Sequence, residues 1–170
     1  MKHIKVILIS LMFCLVLVGC SSNVKTPYTV AIGNKAISYY DDKSSLNDKY
    51  GNVLISFKEW NIEEMFNEIN EDFIIFYNNN DKIRALVITS EKVITMHGIH
   101  VGDDISKVED KFEYEKVMGN SLCDVLFDGL TEANDFENPQ DDWIRISYRI
   151  NEEKITAIII SDNKFACYLQ

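Results

Sequence analysis

Cys20 is the side chain best placed to do chemistry in this chain of 170 residues. A cysteine thiolate is a nucleophile, and this one follows small Gly19 and precedes Ser21 and Ser22. Four other groups are candidates. His97 and His100, three residues apart, could share a metal ion, but the spacing identifies no third ligand, so turn or surface histidines are the simpler reading. The stretch 124–142 holds Asp124, Asp128, Glu132, Asp135, Glu137, Asp141 and Asp142. Such oxygens suit Ca²⁺, which takes roughly six to eight of them, yet the spacing does not fit an EF-hand, and a solvated acidic loop is expected instead. Cys123 and Cys167 could form a disulfide or stay as two buried thiols. Trp143, Arg145 and Arg149 alternate with Ile144, Ile146, Tyr148 and Ile150, so they share one strand face. That face reads either as a partner surface, since Trp and Arg are enriched in binding hot spots, or as a solvent face with Trp143 tucked under the acidic loop. No Gly-x-Ser-x-Gly, His-Glu-x-x-His, Cys-x-x-Cys or Walker-type loop occurs. No enzyme, metal or cofactor is expected. A carboxylate pair brought together only in space is the remaining enzymatic alternative.

The segment that positions Cys20 is legible. Lys2, His3 and Lys5 make a basic start, and Val6 to Val18 is almost continuously apolar. Those thirteen residues are too few for a bilayer core that needs about 20, but they suit the apolar region of a secretory signal. The run Leu17-Val18-Gly19-Cys20 resembles the lipobox of bacterial lipoproteins. The resemblance implies cleavage before Cys20 and a thioether-linked diacylglycerol on its sulfur. Acyl chains contribute about 0.8 kcal/mol per buried CH₂, and two chains suffice for stable anchoring. The expected organisation is a signal peptide over 1–19 and a lipidated cysteine with a short tether over 20–28. Residues 21–27 span about 25 Å at most, so the domain is expected close to the membrane.

Charge narrows the partners. The chain has 17 Lys+Arg and 27 Asp+Glu, net −10, and removing Lys2 and Lys5 leaves 15 − 27 = −12. That balance repels nucleic acid and anionic headgroups, so the bilayer is to be held through the acyl chains on Cys20. Frequent Ile, Asn, Lys and Asp point to an AT-rich, Gram-positive source.

The remainder shows internal similarity. Asp41 to Tyr50 matches Asp103 to Phe112 at an offset of 62, with five of ten positions identical. Ile74 to Thr89 matches Ile146 to Ser161 at an offset of 72. Each copy reads as a short strand, an Asp-Asp segment capping a short helix, and a β-hairpin. Phe57, Trp60, Met65, Phe66 and Ile69 add an amphipathic helix in copy one. The expected fold class is α+β: two similar helix-plus-β-hairpin modules, 29–90 and 91–170, packed as one domain on an antiparallel sheet, the second with an acidic insert near 124–142.

The run Ile99-His100-Val101-Gly102-Asp103-Asp104-Ile105-Ser106-Lys107-Val108 resembles a motif of small exported bacterial modules. These occur in tandem in the β-lactamase inhibitory protein-like family and singly in small outer-membrane assembly lipoproteins. The resemblance implies helices on one face of a sheet and a binding role. Copy one departs from it, with Tyr40 where the glycine would stand. The leading expectation is a non-enzymatic lipoprotein on the outer face of a bacterial cell membrane, binding a protein or envelope component. A lipoprotein binding a small ligand or an ion is the alternative.

Overall fold

In a computed structural model, the described residues are 26–50, 55–57, 66–69, 72–78, 80–117, 119, 121–128, 131–133, 136–137, 140–164 and 166. They form two antiparallel sheets. The smaller has the order β2-β1-β7, from β1 (Thr29–Ile32), β2 (Lys35–Ser38) and β7 (Val93–Thr95). The larger uses β3 (Ile55–Phe57), β4 (Phe66–Ile69), β5 (Phe73–Tyr77), β6 (Ile83–Ile88), β8 (Glu115–Val117), β9 (Leu122–Asp128), β10 (Thr131–Glu132), β11 (Ile144–Asn151) and β12 (Lys154–Asp162). Its order is β10-β9-β11-β12-β6-β5-β4-β3, with β8 also paired to β9. The described helices are α1 (Lys43–Tyr50) and a single turn, α2 (Ser106–Glu109).

The chain is therefore mainly β, and the α+β helix-plus-hairpin expectation is corrected. Phe57, Phe66 and Ile69, expected on an amphipathic helix, lie in β3 and β4. Strand β4 pairs with β5 from Phe66↔Tyr77 to Ile69↔Ile74. Extending the sheet satisfies these backbones across strands, and that tertiary pairing overrides an approximate helical period. Trp60 and Met65 lie outside the described residues. The solvated acidic loop expected over 124–142 is corrected at its start. Leu122 to Asp128 is a strand, all of it buried except Asp128. Counting carboxylates concealed the apolar residues between them.

The two matched blocks carry matching backbone contacts. Asp42 bridges Lys82, and Asp104 bridges Lys154. Asp41 accepts the Ser38 N–H at 2.9 Å, and Asp103 accepts that of His100 at 3.0 Å. Asp42 Oδ1 accepts the Ser45 N–H at 3.0 Å and caps α1, while Asp104 Oδ1 accepts the Ser106 N–H at 3.0 Å. Leu46 on α1 and Val108 on α2 are both fully buried. Both hairpins have an irregularity at one site, Phe76/Tyr77 and Arg149/Ile150. Aligning these makes Ile75↔Leu86 equivalent to Tyr148↔Ile158, and Tyr77↔Ile83 to Ile150↔Ile155. The leading strands thus correspond at an offset of 73 and the returning strands at 72. The sequence match of Ile74 with Ile146 is one residue out; Phe73 is the equivalent. A one-residue slip exchanges the two faces of a strand, and Phe73 and Ile146 do face the same core. The slip arises in the hairpin loop. Three residues separate Asn78 from Lys82, but only Glu152 and Glu153 separate Asn151 from Lys154, both at positive φ as in a type I′ turn.

The two hairpins meet at β6 and β12, where Val87 lies opposite Ile159. These residues are equivalent in the alignment, so the pairing has the form of a two-fold axis through them. One core cluster joins Phe73, Ile75, Leu86, Ile146, Tyr148 and Ile158 of the large sheet to Val30, Ile37, Val93 and Ile99 around the small one. The opposite face of the large sheet is covered as well. Phe76, Ala85 and Ile159 form a second buried cluster, and Ser147, Ser161 and Asp124 on that face are buried.

Burial of that second face changes the reading of β11. Arg145 is not presented to solvent; it is nearly buried and ion-paired with Asp124, which is 0% exposed. Its Nε and Nη2 also donate to Asn163 Oδ1, at 3.1 and 2.6 Å. Removing one partner of a buried pair leaves an uncompensated charge, typically costing about 3–5 kcal/mol, whereas an apolar replacement of both is far milder. We expect Arg145→Ala to lose about that much stability in urea unfolding, and Asp124→Leu/Arg145→Met to recover at least half of it. An Arg145→Ala protein as stable as the parent would contradict this pairing.

Candidate functional site

Tyr39 and Tyr40 follow β2 in the turn closed by Asp41, whose backbone N–H donates to the Ser38 carbonyl at 2.9 Å. The Tyr39 N–H donates to the Tyr28 carbonyl at 3.0 Å, which fixes the turn against β1. Tyr40 is 58% exposed, yet its ring is held edge-on by Tyr28 and Tyr39, with centroids 5.7 Å away in each case. Arg84 on β6 and Asp162 at the end of β12 are cross-strand neighbours, because Ala85 pairs with Ser161. They form an ion pair: Nη2 donates to Oδ1 at 2.9 Å, and Nε lies 2.6 Å from Oδ2. Tyr39 Oη donates to Asp162 Oδ2 at 3.1 Å. Burial first, and then the Asp162 charge, push the Tyr39 hydroxyl well above the usual phenol range, so it remains a donor.

These groups border a cleft of ≈ 380 Å³, which Asp141 and Asp142 complete from the turn before β11. That turn is pinned by the N–H groups of Asn163 to the Trp143 carbonyl (2.7 Å) and of Lys164 to the Asp141 carbonyl (3.3 Å). Asp141 and Asp142 are exposed, and Lys164 and Ile144 also line the cleft. The arrangement can hold a charged or aromatic group against the Tyr40 ring.

The residues singled out from sequence are dispersed. Trp143 is half-buried beside this cleft, Arg145 is committed to Asp124 and Asn163, and Arg149 is exposed. Trp143 and Arg149 are six residues apart on an extended strand, about 20 Å, so they do not make one compact patch. Cys123 is buried, and burial followed by the Asp124 charge raises its thiol to about 12. Cys167 and Cys20 lie outside the described residues. Sequence reading passed over Tyr39, Arg84 and Asp162. Its signals for the cleft were Tyr40 standing in place of a glycine and Asp141 and Asp142 at the end of the acidic stretch.

His97 and His100 diverge. His100 turns to Asp103, with Nε2 3.4 Å from Oδ1, and its Nδ1 lies 2.9 Å from the Val101 carbonyl. His97 packs between Phe112, edge-on at 4.7 Å, and Phe127, stacked at 6.3 Å. Among the described residues, no group of three or more His, Cys, Asp and Glu is placed to hold a metal ion, and no helix is long and apolar enough to cross a membrane. Comparison with protein-family models, curated proteins and solved structures finds no match.

His97 predicts a pH dependence. Its Nε2 is buried without a hydrogen-bond partner among the described residues. Burial, and secondarily Lys111, lower its pKa below the usual histidine range. The unfolded chain then binds this proton more readily than the folded one. The stability involved is fully present above the unfolded value, near 6.5, and is lost as pH falls from there towards the folded value. We expect the wild type to lose more unfolding free energy than His97→Phe between about pH 7.5 and 5.5. Equal losses would show that His97 is not the group responsible.

Proposed function

We propose that this chain is a bacterial envelope lipoprotein, cleaved before Cys20 and acylated on its sulfur, whose mature domain binds an envelope protein without catalysing a reaction. The observation that carries the reading is Leu17-Val18-Gly19-Cys20 behind a thirteen-residue apolar run and a basic start. A thioether-linked diacylglycerol needs a cysteine at that point, and a small preceding residue leaves room for the peptidase. The polar tether and the low charge of the mature part, −12, are consistent with attachment by acyl chains rather than by basic residues. The Gram-positive membrane and its outer face follow from the same signal and from composition.

The binding role rests on the two similar halves. We read them as tandem copies of one module, on the strength of the paired Asp–Lys bridges and the shared strand irregularity. A large continuous sheet with a bordered cleft offers a rigid recognition surface.

The test is metabolic labelling with an alkynyl fatty acid in a bacterium expressing the full chain. We expect label on a membrane-bound product shortened by nineteen residues, and none on Cys20→Ala. A Cys20→Ala protein that stays membrane-bound at the parent's mature size would overturn the anchor.

A further inference from the structure

The cleft beside Tyr40 is built by residues of both halves, Tyr39, Tyr40 and Arg84 from the first and Asp141, Asp142 and Asp162 from the second, and the equivalent positions do not repeat its chemistry. By the backbone correspondence, Tyr39, Tyr40, Arg84 and Asp162 are equivalent to Val101, Gly102, Thr156 and Ser90. Positions that build the same turn and hairpin are alike in both halves: Asp41 and Asp103, Asp42 and Asp104, Lys82 and Lys154, Ala85 and Ala157. The first set differs in chemistry at every position, and it borders the cleft. Gly102 shows the difference most clearly, since it holds φ +90° and a Cβ there would come within 3.0 Å of Glu91. Copy one carries a large, outward aromatic ring at that point.

We infer that this cleft receives a lysine or arginine side chain from a partner protein. Tyr40 is the most exposed large apolar residue among those described, at 58%, and an exposed aromatic ring attracts a cation through its quadrupole. Asp141 and Asp142 are exposed and line the same cleft. Arg84 does not counter them, because its guanidinium is occupied by Asp162. Three carboxylates against Arg84 and Lys164 leave the lining one negative charge in excess, within a chain of net charge −10. The occupant is a side chain of a larger partner rather than a free metabolite. Small-molecule sites enclose most of their ligand, whereas the open Tyr40 ring leaves the stem of a bound side chain in solvent. This deepens the binding half of the proposed function and rests on it, not on the lipid anchor.

The experiment uses the full-length lipoprotein in detergent micelles and fluorescein-labelled hexalysine, hexaarginine and hexaglutamine, read by anisotropy at physiological salt. Hexalysine and hexaarginine should bind saturably and hexaglutamine should not. Tyr40→Ala, and separately Asp141→Asn/Asp142→Asn, should each weaken binding about tenfold or more. Asp110→Asn/Glu113→Gln, in a second acidic groove lined by Glu109 and Tyr114, should leave it within about twofold. Absence of binding, an unchanged Tyr40→Ala, or equal weakening by both acidic pairs would overturn the inference. Competition by spermidine as strong as by unlabelled hexalysine would replace the partner side chain with a small cation. Fatty-acid labelling of the same preparation reports the anchor independently, so a failed cleft and a failed lipoprotein reading give different results.

Discussion

The pairing of β6 with β12 sets the position of everything else. It joins two hairpins into one sheet, with Val87 opposite Ile159. Both faces at this seam are buried, which explains why β12 reads as an almost unbroken apolar run, Ala157-Ile158-Ile159-Ile160. Register is strongly specified where faces are buried, because a one-residue slip would carry each side chain to the other side. Arg84 and Asp162 meet only in this register. The cleft they border is therefore a consequence of how the two halves join, not of either half alone.

Charge inside the sheet adds a second constraint. Asp124 with Arg145 lies on one face, and Asp162 with Arg84 lies towards the other. Buried pairs contribute little net stability, but an alternative register would separate them and leave charges unpaired. Asn163 donates its N–H to the Trp143 carbonyl and accepts from Arg145, so one residue ties the end of β12 to the start of β11. The turn holding Asp141 and Asp142 is thereby fixed beside the aromatic wall.

Sequence made part of this legible. The hairpin strands β5, β6, β11 and β12 were evident from β-branched runs bounded by Asn, Asp and Glu, and the Asp-Asp turns from their side-chain chemistry. At Phe57 and over Phe66–Ile69 the expected helix is replaced by strands, because aromatic residues at approximate helical spacing also suit short paired strands, and for Phe66–Ile69 pairing with β5 decided between them. The strand Leu122–Asp128 was missed because its carboxylates suggested solvent, although Asp124 is buried against Arg145. Arg145 was misread for the matching reason: alternation gives the face of a strand but not whether that face is covered. The cleft could not be seen, since Tyr40, Arg84, Asp141 and Asp162 are far apart in the chain and converge only through the β6–β12 register.

The proposed function and the proposed cleft together describe a membrane-anchored lipoprotein that engages a basic partner segment at the β6–β12 seam. The most direct measurement is photo-crosslinking in living cells, with a photoreactive amino acid at Tyr40 and, as a control, at Tyr114, followed by mapping of the attached peptides. Adducts are expected at position 40 to one envelope protein, at peptides within a lysine- or arginine-bearing segment, and none of these at position 114. Adducts formed equally from both positions, or only from position 114, would contradict that engagement.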